Sequence, residues 1–410
     1  MVSHINQKNE SKQNRHREHS GDPLNSTLEL VAPGSSLREG LDRVLQAKHG
    51  ALVIIGDTPE VLSICTGGFL LDAEFSPQRL AEVAKMDGAI ILTSDASRIA
   101  RANVHLVPKA SIPTTETGTR HRTAERVAKS IDVPVITVSE AMAKITVYRN
   151  DRKHTTQPIG WLIDRAGQAL STLQRFKFKF DDALNNLSRL EMENSVSLRD
   201  VLGVLRPGEM IRRIADEIDG YLIELGVDGR LVELQMEEMI FGGEETLHLL
   251  LRDYVSTSDG SELEHGEQVR TDSVLARAER ALDELRSLSA DELLDLDKLA
   301  STIGLNGRTG KHVGVSTHLV HAPTLAGDGS GKIDLDIALE ARGYRLLNRV
   351  PRLSASIIDR IVTRFGNLPG VMEATVSELE AIEGIGSSRA RSIRQSLAGI
   401  IESSILERYQ

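Results

Sequence analysis

The chain has one cysteine in 410 residues, one tryptophan, only 3% aromatic residues, and no apolar run approaching the ~20 residues that a membrane span needs. The single thiol, Cys65, excludes an internal disulfide framework; lying in an apolar run, it reads as core rather than nucleophile, in keeping with a reducing, cytoplasmic setting. The first residues, MVSHINQKNESKQNRHREHSGDP, lack the apolar stretch and small-residue cleavage site of an export signal and read as a polar tail. Without a membrane span or an export signal, the chain reads as soluble. Its formal net charge of −10 excludes a protein that coats nucleic acid along its whole length, but leaves room for one local basic module. Apolar residues make up 40% and charged residues 26%, ordinary for a globular chain long enough for roughly two or three domains.

From about Leu28 to Arg149, short β-rich runs alternate with helical stretches. GALVIIGD and VLSICTGG read as strands joined by a turn, and SPQRLAEVAKM as a helix capped by Ser76 with Pro77 at its first position. GAIILTSD reads as a buried strand, followed by RANVHLVP, a helix from about Thr119, then VPVITVSE and KITVYRND. This predicts an α/β domain with a mixed sheet over residues 28–150, after a disordered polar tail over 1–27. From about Gln157 the segments IGWLIDRAGQALSTLQRF, MIRRIADEIDGYLIELG, ETLHLLLRDYV and SVLARAERALDELRSL are helical in period and acidic, giving an all-α spine over 151–332. FKFKF interleaves lysine with aromatics, a pattern that also occurs in nucleic-acid stacking, but on a helix it reads as packing beneath lysine stems. GSGK is not a phosphate loop, because Ala326 and Ile333 stand where that motif needs glycine and Ser or Thr. His312, His318 and His321 lack a neighbouring cysteine or carboxylate cluster and read as surface or core residues, not metal ligands.

The last segment, 333–410, inverts the charge: between Ala341 and Ile400 there are nine Arg against five Asp plus Glu, a local +4 in an acidic protein. In LEAIEGIGSSRARSIRQSL, the residues Leu379, Ile382, Ile385, Ala390, Ile393 and Leu397 mark two apolar-faced helices, with Gly384-Ile385-Gly386 as the hairpin between them. Glycines allow close backbone approach, the following helix starts with free N–H groups, and Arg389, Arg391 and Arg394 bring charge to a sugar-phosphate backbone without any evident base-reading group. The pattern resembles the helix-hairpin-helix modules of DNA repair and junction-processing proteins, with RIVTRFGNLPGVMEATVSELE as the lead-in half of a tandem.

In the α/β domain, KMDGAIILTSD places Asp87-Gly88-Ala89 at the mouth of a strand, where a carboxylate next to glycine can hold a divalent ion close to a ligand. Some thirty residues on, TGTRHRTAER crowds Arg120, His121 and Arg122 between Thr119 and Thr123 at the start of a helix. A helix N-terminus already carries partial positive charge, so these cations cost stability until an anion arrives, and a triphosphate satisfies them together with both hydroxyls. His121, flanked by arginines, is expected to serve as a hydrogen-bonding phosphate contact.

The Asp-Gly-Ala and Arg-His-Arg pair at this spacing resembles the diadenylate cyclase domain. With the helical spine and the helix-hairpin-helix, the whole chain after its tail resembles the DNA integrity scanning proteins. That resemblance implies condensation of two ATP into cyclic di-AMP with release of two pyrophosphates. Asp87 would hold Mg²⁺ or Mn²⁺, Gly88 would let the backbone sit against the nucleotide, and Thr119, Arg120, His121, Arg122 and Thr123 would cradle the triphosphate. Leu106 would line the adenine side and Ser139 would lie near the phosphates or metal. The resemblance also implies branched or junction DNA as partner and face-to-face dimers assembled into an octamer. A product with twofold symmetry calls independently for two identical half-sites across an isologous interface. The alternative is an ATP-sensing DNA-binding scaffold without turnover, which has little need of a metal carboxylate opposite the basic turn.

Overall fold

Five consecutive apolar residues, Ala51–Ile55, form the central strand β1, and all five are buried, as expected of a strand covered on both faces. The structure, a computed structural model, describes residues 21–255, 267–305 and 333–406. β1 runs parallel to β4 (Ala89–Leu92) and antiparallel to β6 (Val135–Ser139), so the sheet is mixed. Beyond β6 lie β7 (Lys144–Arg149) and β8 (Arg152–Thr155). Beyond β4 lies β5 (Arg98–Leu106), and the short strands β2 (Cys65–Thr66) and β3 (Phe69–Glu74) pair with β5 in turn.

Side-chain alternation along β1 builds two cores. Val53 and Ile55 pack with helices α1 (Pro23–Leu30), α2 (Ser36–Gln46) and, after the short α3 (Pro59–Ser63), α4 (Pro77–Val83), through Leu24, Leu28, Leu41, Val44 and Leu80. Leu52 and Ile54 pack on the other face with Ala124, Val127 and Ala128 of α5 (Thr119–Ser130). Helices therefore cover both faces of the sheet.

Three expectations need correction. VLSICTGG is not a strand: Thr58 caps α3 by accepting the Val61 N–H, Pro59 takes the first turn, and only Cys65–Thr66 remain extended. Cys65 is half-buried, its Sγ donates to the Val61 carbonyl at 3.1 Å, and burial pushes its thiol up from the ordinary range. A boundary after residue 27 cuts α1, which Asp22 caps and which buries Leu24, Thr27 and Leu28. A boundary after residue 150 falls in the turn of the β7–β8 hairpin, where Asn150 takes φ +51°, a conformation Asn tolerates, and β8 carries the sheet on to Thr155.

The chain divides into two units, one holding the described residues up to Ser171 with Asp216–Glu238, the other Thr172–Ala215 with the described residues from Met239 onward. The helices after the sheet are α6 (Ile159–Met192), α7 (Leu198–Leu225), α8 (Arg230–Ile240), α9 (Gly243–Tyr254), α10 (Glu267–Ser287) and α11 (Leu296–Thr302). Among the described residues after the sheet, one two-stranded ladder, β9 (Val196–Ser197) with β10 (Ala338–Leu339), is set between helices. The FKFKF stretch lies on α6, and its aromatics do not all pack: Phe180 is buried, but Phe178 is 75% exposed, because the helical period turns it away from the core. Among the described residues no helix is long and apolar enough to cross a membrane. His312, His318, His321 and the GSGK stretch lie outside the described residues.

In the second unit, the buried Asp253 carboxylate accepts the N–H groups of Gly343, Tyr344 and Arg345 at 2.7, 2.6 and 3.0 Å, capping α12 (Tyr344–Asn348). Arg345 in turn donates to Ser188 at 3.0 Å and Glu191 at 2.5 Å. The last helices are α13 (Ala355–Phe365), α14 (Leu368–Glu373), α15 (Val376–Glu380) and α16 (Ser387–Leu406). Arg252 of α9 pairs with Asp359 of α13 at 2.5 Å, tying this terminal region to the helical part of its unit.

Candidate functional site

Strand register gathers the first constellation at one end of the central strands. Leu52 faces Ala89, Ala51 faces Val138, and Ala89 faces Val104, so Gly50, Asp87-Gly88, Ser139 and the end of β5 meet there. α5 delivers the cations to this end of the sheet. Its N-cap, Gly118, provides no side-chain hydrogen bond, leaving the first-turn N–H groups for another acceptor.

Arg120 Nη2 donates to Asp87 Oδ1 at 2.9 Å, so the two constellations are in direct contact. The basic trio thus does not wholly lack an acidic partner, contrary to expectation. The Asp87 side chain is 94% exposed and that of Arg120 38%; a pair this wet contributes about 0–1 kcal/mol and yields readily to a ligand. Arg120 also crosses the Gly50 backbone, where a Cβ would meet Nη1 at 2.4 Å. His121 stands edge-on to Tyr148, with centroids 6.5 Å apart, and its buried Nε2 has no hydrogen-bond partner, an orphan of the kind a phosphate oxygen satisfies. Arg122 and Thr119 are exposed, and the Thr123 hydroxyl donates to the Thr119 carbonyl at 2.9 Å.

The remaining candidates are placed less directly. Gly88 is required by its own fold: a Cβ there would meet the Asn103 backbone at 2.6 Å, at the β-bulge between β4 and β5. Ala89 and Leu106 are buried in the core under α5, so anything they offer a ligand is main chain. Ser139 is buried, and its hydroxyl accepts the Met142 N–H at 3.3 Å. Among the described residues, no three His, Cys, Asp or Glu side chains gather into a metal cluster.

Sequence reasoning missed the residues that hold the basic turn. Glu125, on the second turn of α5, reaches back to the Thr114 hydroxyl at 2.5 Å and the Thr115 N–H at 3.1 Å, and pairs with Lys129 at 2.8 Å. Glu116 accepts the Tyr148 hydroxyl at 3.1 Å and Lys153 at 2.8 Å. The segment leading into α5 is therefore pinned on both sides. The available signal was a glutamate four residues before Lys129 on a helix, too common a pairing to single out.

Burial pushes the Glu125 carboxyl up, but the hydrogen bonds from Lys129, Thr114 and Thr115 outweigh it and hold its pKa at about 2, against 4.5 ordinarily. A depressed carboxylate gives stability that is complete above the unfolded value and lost as pH falls toward the folded one. Its contribution, on the order of 3 kcal/mol, is expected to fade between about pH 4.5 and pH 2. Glu125→Gln is expected to cost about 2 kcal/mol at pH 7 and almost nothing at pH 2. Thermal midpoints of the full chain across that range check this; an equal loss at both ends would contradict it.

The second constellation folds as the spacing predicts. Leu379, Ile382, Ile385, Ala390, Ile393 and Leu397 are all buried, with the hairpin between α15 and α16. Thr375 and Glu378 form a reciprocal capping box at the start of α15. The two hairpin glycines differ: Gly384 has φ +92°, whereas Gly386 has an ordinary φ and open space around its Cβ position. Gly384→Ala is expected to weaken DNA binding by about tenfold, because a left-handed backbone costs an L-residue about 1–2 kcal/mol. Gly386→Ala is expected to change it less than about twofold, and fluorescence anisotropy with a labelled duplex separates the two. Arg389 donates to the Gly384 carbonyl at 2.6 Å, Arg391 to the Ser387 carbonyl at 3.1 Å and Arg394 to the Ala374 carbonyl at 3.0 Å, so each has one donor committed within the module.

These sites define a class: an α/β nucleotide-binding domain joined through helices to a helix-hairpin-helix module. Residues 38–153 match the DisA bacterial checkpoint controller nucleotide-binding family, 157–311 its linker region and 367–396 the helix-hairpin-helix motif. The DNA integrity scanning protein DisA of Frankia alni is 45% identical over 388 residues, covering 95% of this chain and 98% of that one. Its counterparts in Kineococcus radiotolerans and Streptomyces coelicolor are each 44% identical over 386 residues, covering 94% of this chain and 97% and 94% of theirs. A crystal structure of DacA from Staphylococcus aureus aligns with 29% of this chain and 83% of its own at 24% identity and a TM-score of 0.26. The chain belongs to the DisA family of DNA integrity scanning proteins.

Proposed function

We propose that the chain is a diadenylate cyclase that condenses two ATP into cyclic di-AMP and two pyrophosphates and couples this to scanning DNA. The observation that carries the reading is the contact between Arg120 and the exposed Asp87 at the uncapped N-terminus of α5. One carboxylate beside a cationic turn suits a triphosphate with a divalent ion.

A metal fits this site as a shared ligand. Asp87 offers one exposed carboxylate, and Mg²⁺ or Mn²⁺ commonly completes its shell with substrate phosphate oxygens and water. When bound, such an ion supplies positive charge against the reacting phosphate. The protein's own residues do the positioning. Arg120 turns from Asp87 to the triphosphate, freeing the carboxylate; His121 Nε2 and Arg122 add contacts, and the α5 N–H groups donate to a phosphate oxygen. Glu116 and Glu125 keep the turn in place while this happens.

Each 3′-hydroxyl attacks the α-phosphorus of the other nucleotide: a new P–O bond forms, the α–β bridging bond breaks, pyrophosphate leaves with its electron pair, and the hydroxyl proton is released. Holding two nucleotides in line replaces a bimolecular encounter, and the arginines meet charge developing in the transition state. The two equivalent links of the product call for two copies of the site facing each other, so the working unit is at least a dimer. Branched DNA at the helix-hairpin-helix is the proposed input. Incubating the full chain with ATP and Mn²⁺ and seeking a cyclic dinucleotide by mass spectrometry tests the reading; ATP binding with no product favours an ATP-sensing scaffold.

A further inference from the structure

The hairpin carbonyls are held by side chains from α16, which follows the hairpin, and from α13, which lies earlier in the chain. Arg360, on α13, donates through Nη1 to the Glu383 carbonyl at 2.6 Å, while Arg389, on α16, takes the next carbonyl, that of Gly384. The guanidinium of Arg360 lies 3.9 Å from the Glu383 carboxylate, a loose contact, so its close bond is to the main chain. A Cβ built on Gly384 would meet Arg360 Nη1 at 3.3 Å and Ile357 atoms at 3.8 and 3.9 Å, which places the α13 side chains directly against the hairpin glycine.

A peptide unit is planar and trans, so fixing its C=O fixes the N–H that follows on the opposite side. Holding the Glu383 carbonyl toward α13 turns the Gly384 N–H away from α13. We propose that Arg360 is a positioning residue for DNA binding: it locks the Glu383–Gly384 peptide plane so that the Gly384 amide is presented to a backbone phosphate. Its positive charge serves the hairpin carbonyl and not the DNA. The two roles differ in salt dependence, because only a group that neutralises a phosphate releases a counterion.

The test uses the full chain, a short fluorescent duplex and a salt titration, with Arg391→Ala as comparator. Arg360→Ala is expected to weaken binding about tenfold while the slope of log affinity against log salt stays within about 0.3 of the unmodified chain. Arg360→Lys, which keeps a donor of similar reach, is expected to restore most of the affinity. Arg391→Ala is expected to lose about 0.9 of slope, which establishes that the assay registers a phosphate contact. An unchanged affinity for Arg360→Ala, or a slope loss matching Arg391→Ala, overturns the assignment. Arg360→Met, which keeps the packed stem, is run alongside; loss of circular dichroism in both variants would make Arg360 a folding residue and also overturn it.

Discussion

Asp87→Asn is expected to lower cyclic di-AMP formation by at least about a hundredfold while ATP affinity changes less than about tenfold, since groups acting on developing charge affect turnover more than binding. The asymmetry follows from the geometry. Asp87 restrains Arg120 through an exposed pair at 2.9 Å, and breaking that pair costs little. Losing the carboxylate charge therefore leaves Arg120 free to bind phosphate, and ground-state binding is preserved or slightly improved. What is expected to be lost is the anionic oxygen proposed to share a divalent ion with the triphosphate. Asn has the same shape and keeps a carbonyl acceptor, so the backbone turn before Gly88 is not disturbed. Equal loss of binding and turnover would contradict the metal role, and unchanged turnover would remove Asp87 from the site.

Replacing Arg389, Arg391 and Arg394 together by Ala is expected to give the largest effect at the other end of the chain. Each lost phosphate contact removes about 0.9 from the salt slope, so the triple variant is expected to lose about 2 to 3 units of slope, with little dependence on DNA sequence. All three are exposed and spend one donor on a nearby carbonyl. A guanidinium has five donors in a rigid fork, so this restraint orients the group without using it up. The apolar residues beneath are untouched, and folding is expected to survive. An unchanged slope would move the DNA surface elsewhere.

The sheet and both constellations were legible in the sequence because each rests on local chemistry. Ala51–Ile55 and Ala89–Leu92 announce buried strands by composition, Ser76-Pro77 announces α4, and the period of Leu379, Ile382 and Ile385 announces the hairpin. What escaped depends on contacts distant in sequence. Glu116 matters because of Tyr148 and Lys153, 32 and 37 residues away, and Gly50 because Arg120 crosses it. The role assigned to Gly88 was incomplete for the same reason: Asn103, on another strand, occupies the space that its missing side chain leaves. α3 was a different failure, since its Thr58-Pro59 cap was visible but Val61 to Cys65 were apolar enough to pass for a strand. Phe178 shows that an aromatic on a helix can face outward when the period dictates it.

The most direct test is a crystal structure of the full chain with a non-hydrolysable ATP analogue and Mn²⁺. The account predicts that Arg120 leaves Asp87 for a phosphate oxygen, that His121 Nε2 gains a phosphate partner, and that Asp87 ligates the ion, with a second copy of the site opposite. An analogue bound elsewhere, with the pair between Arg120 and Asp87 intact and the basic turn touching only water, would contradict it.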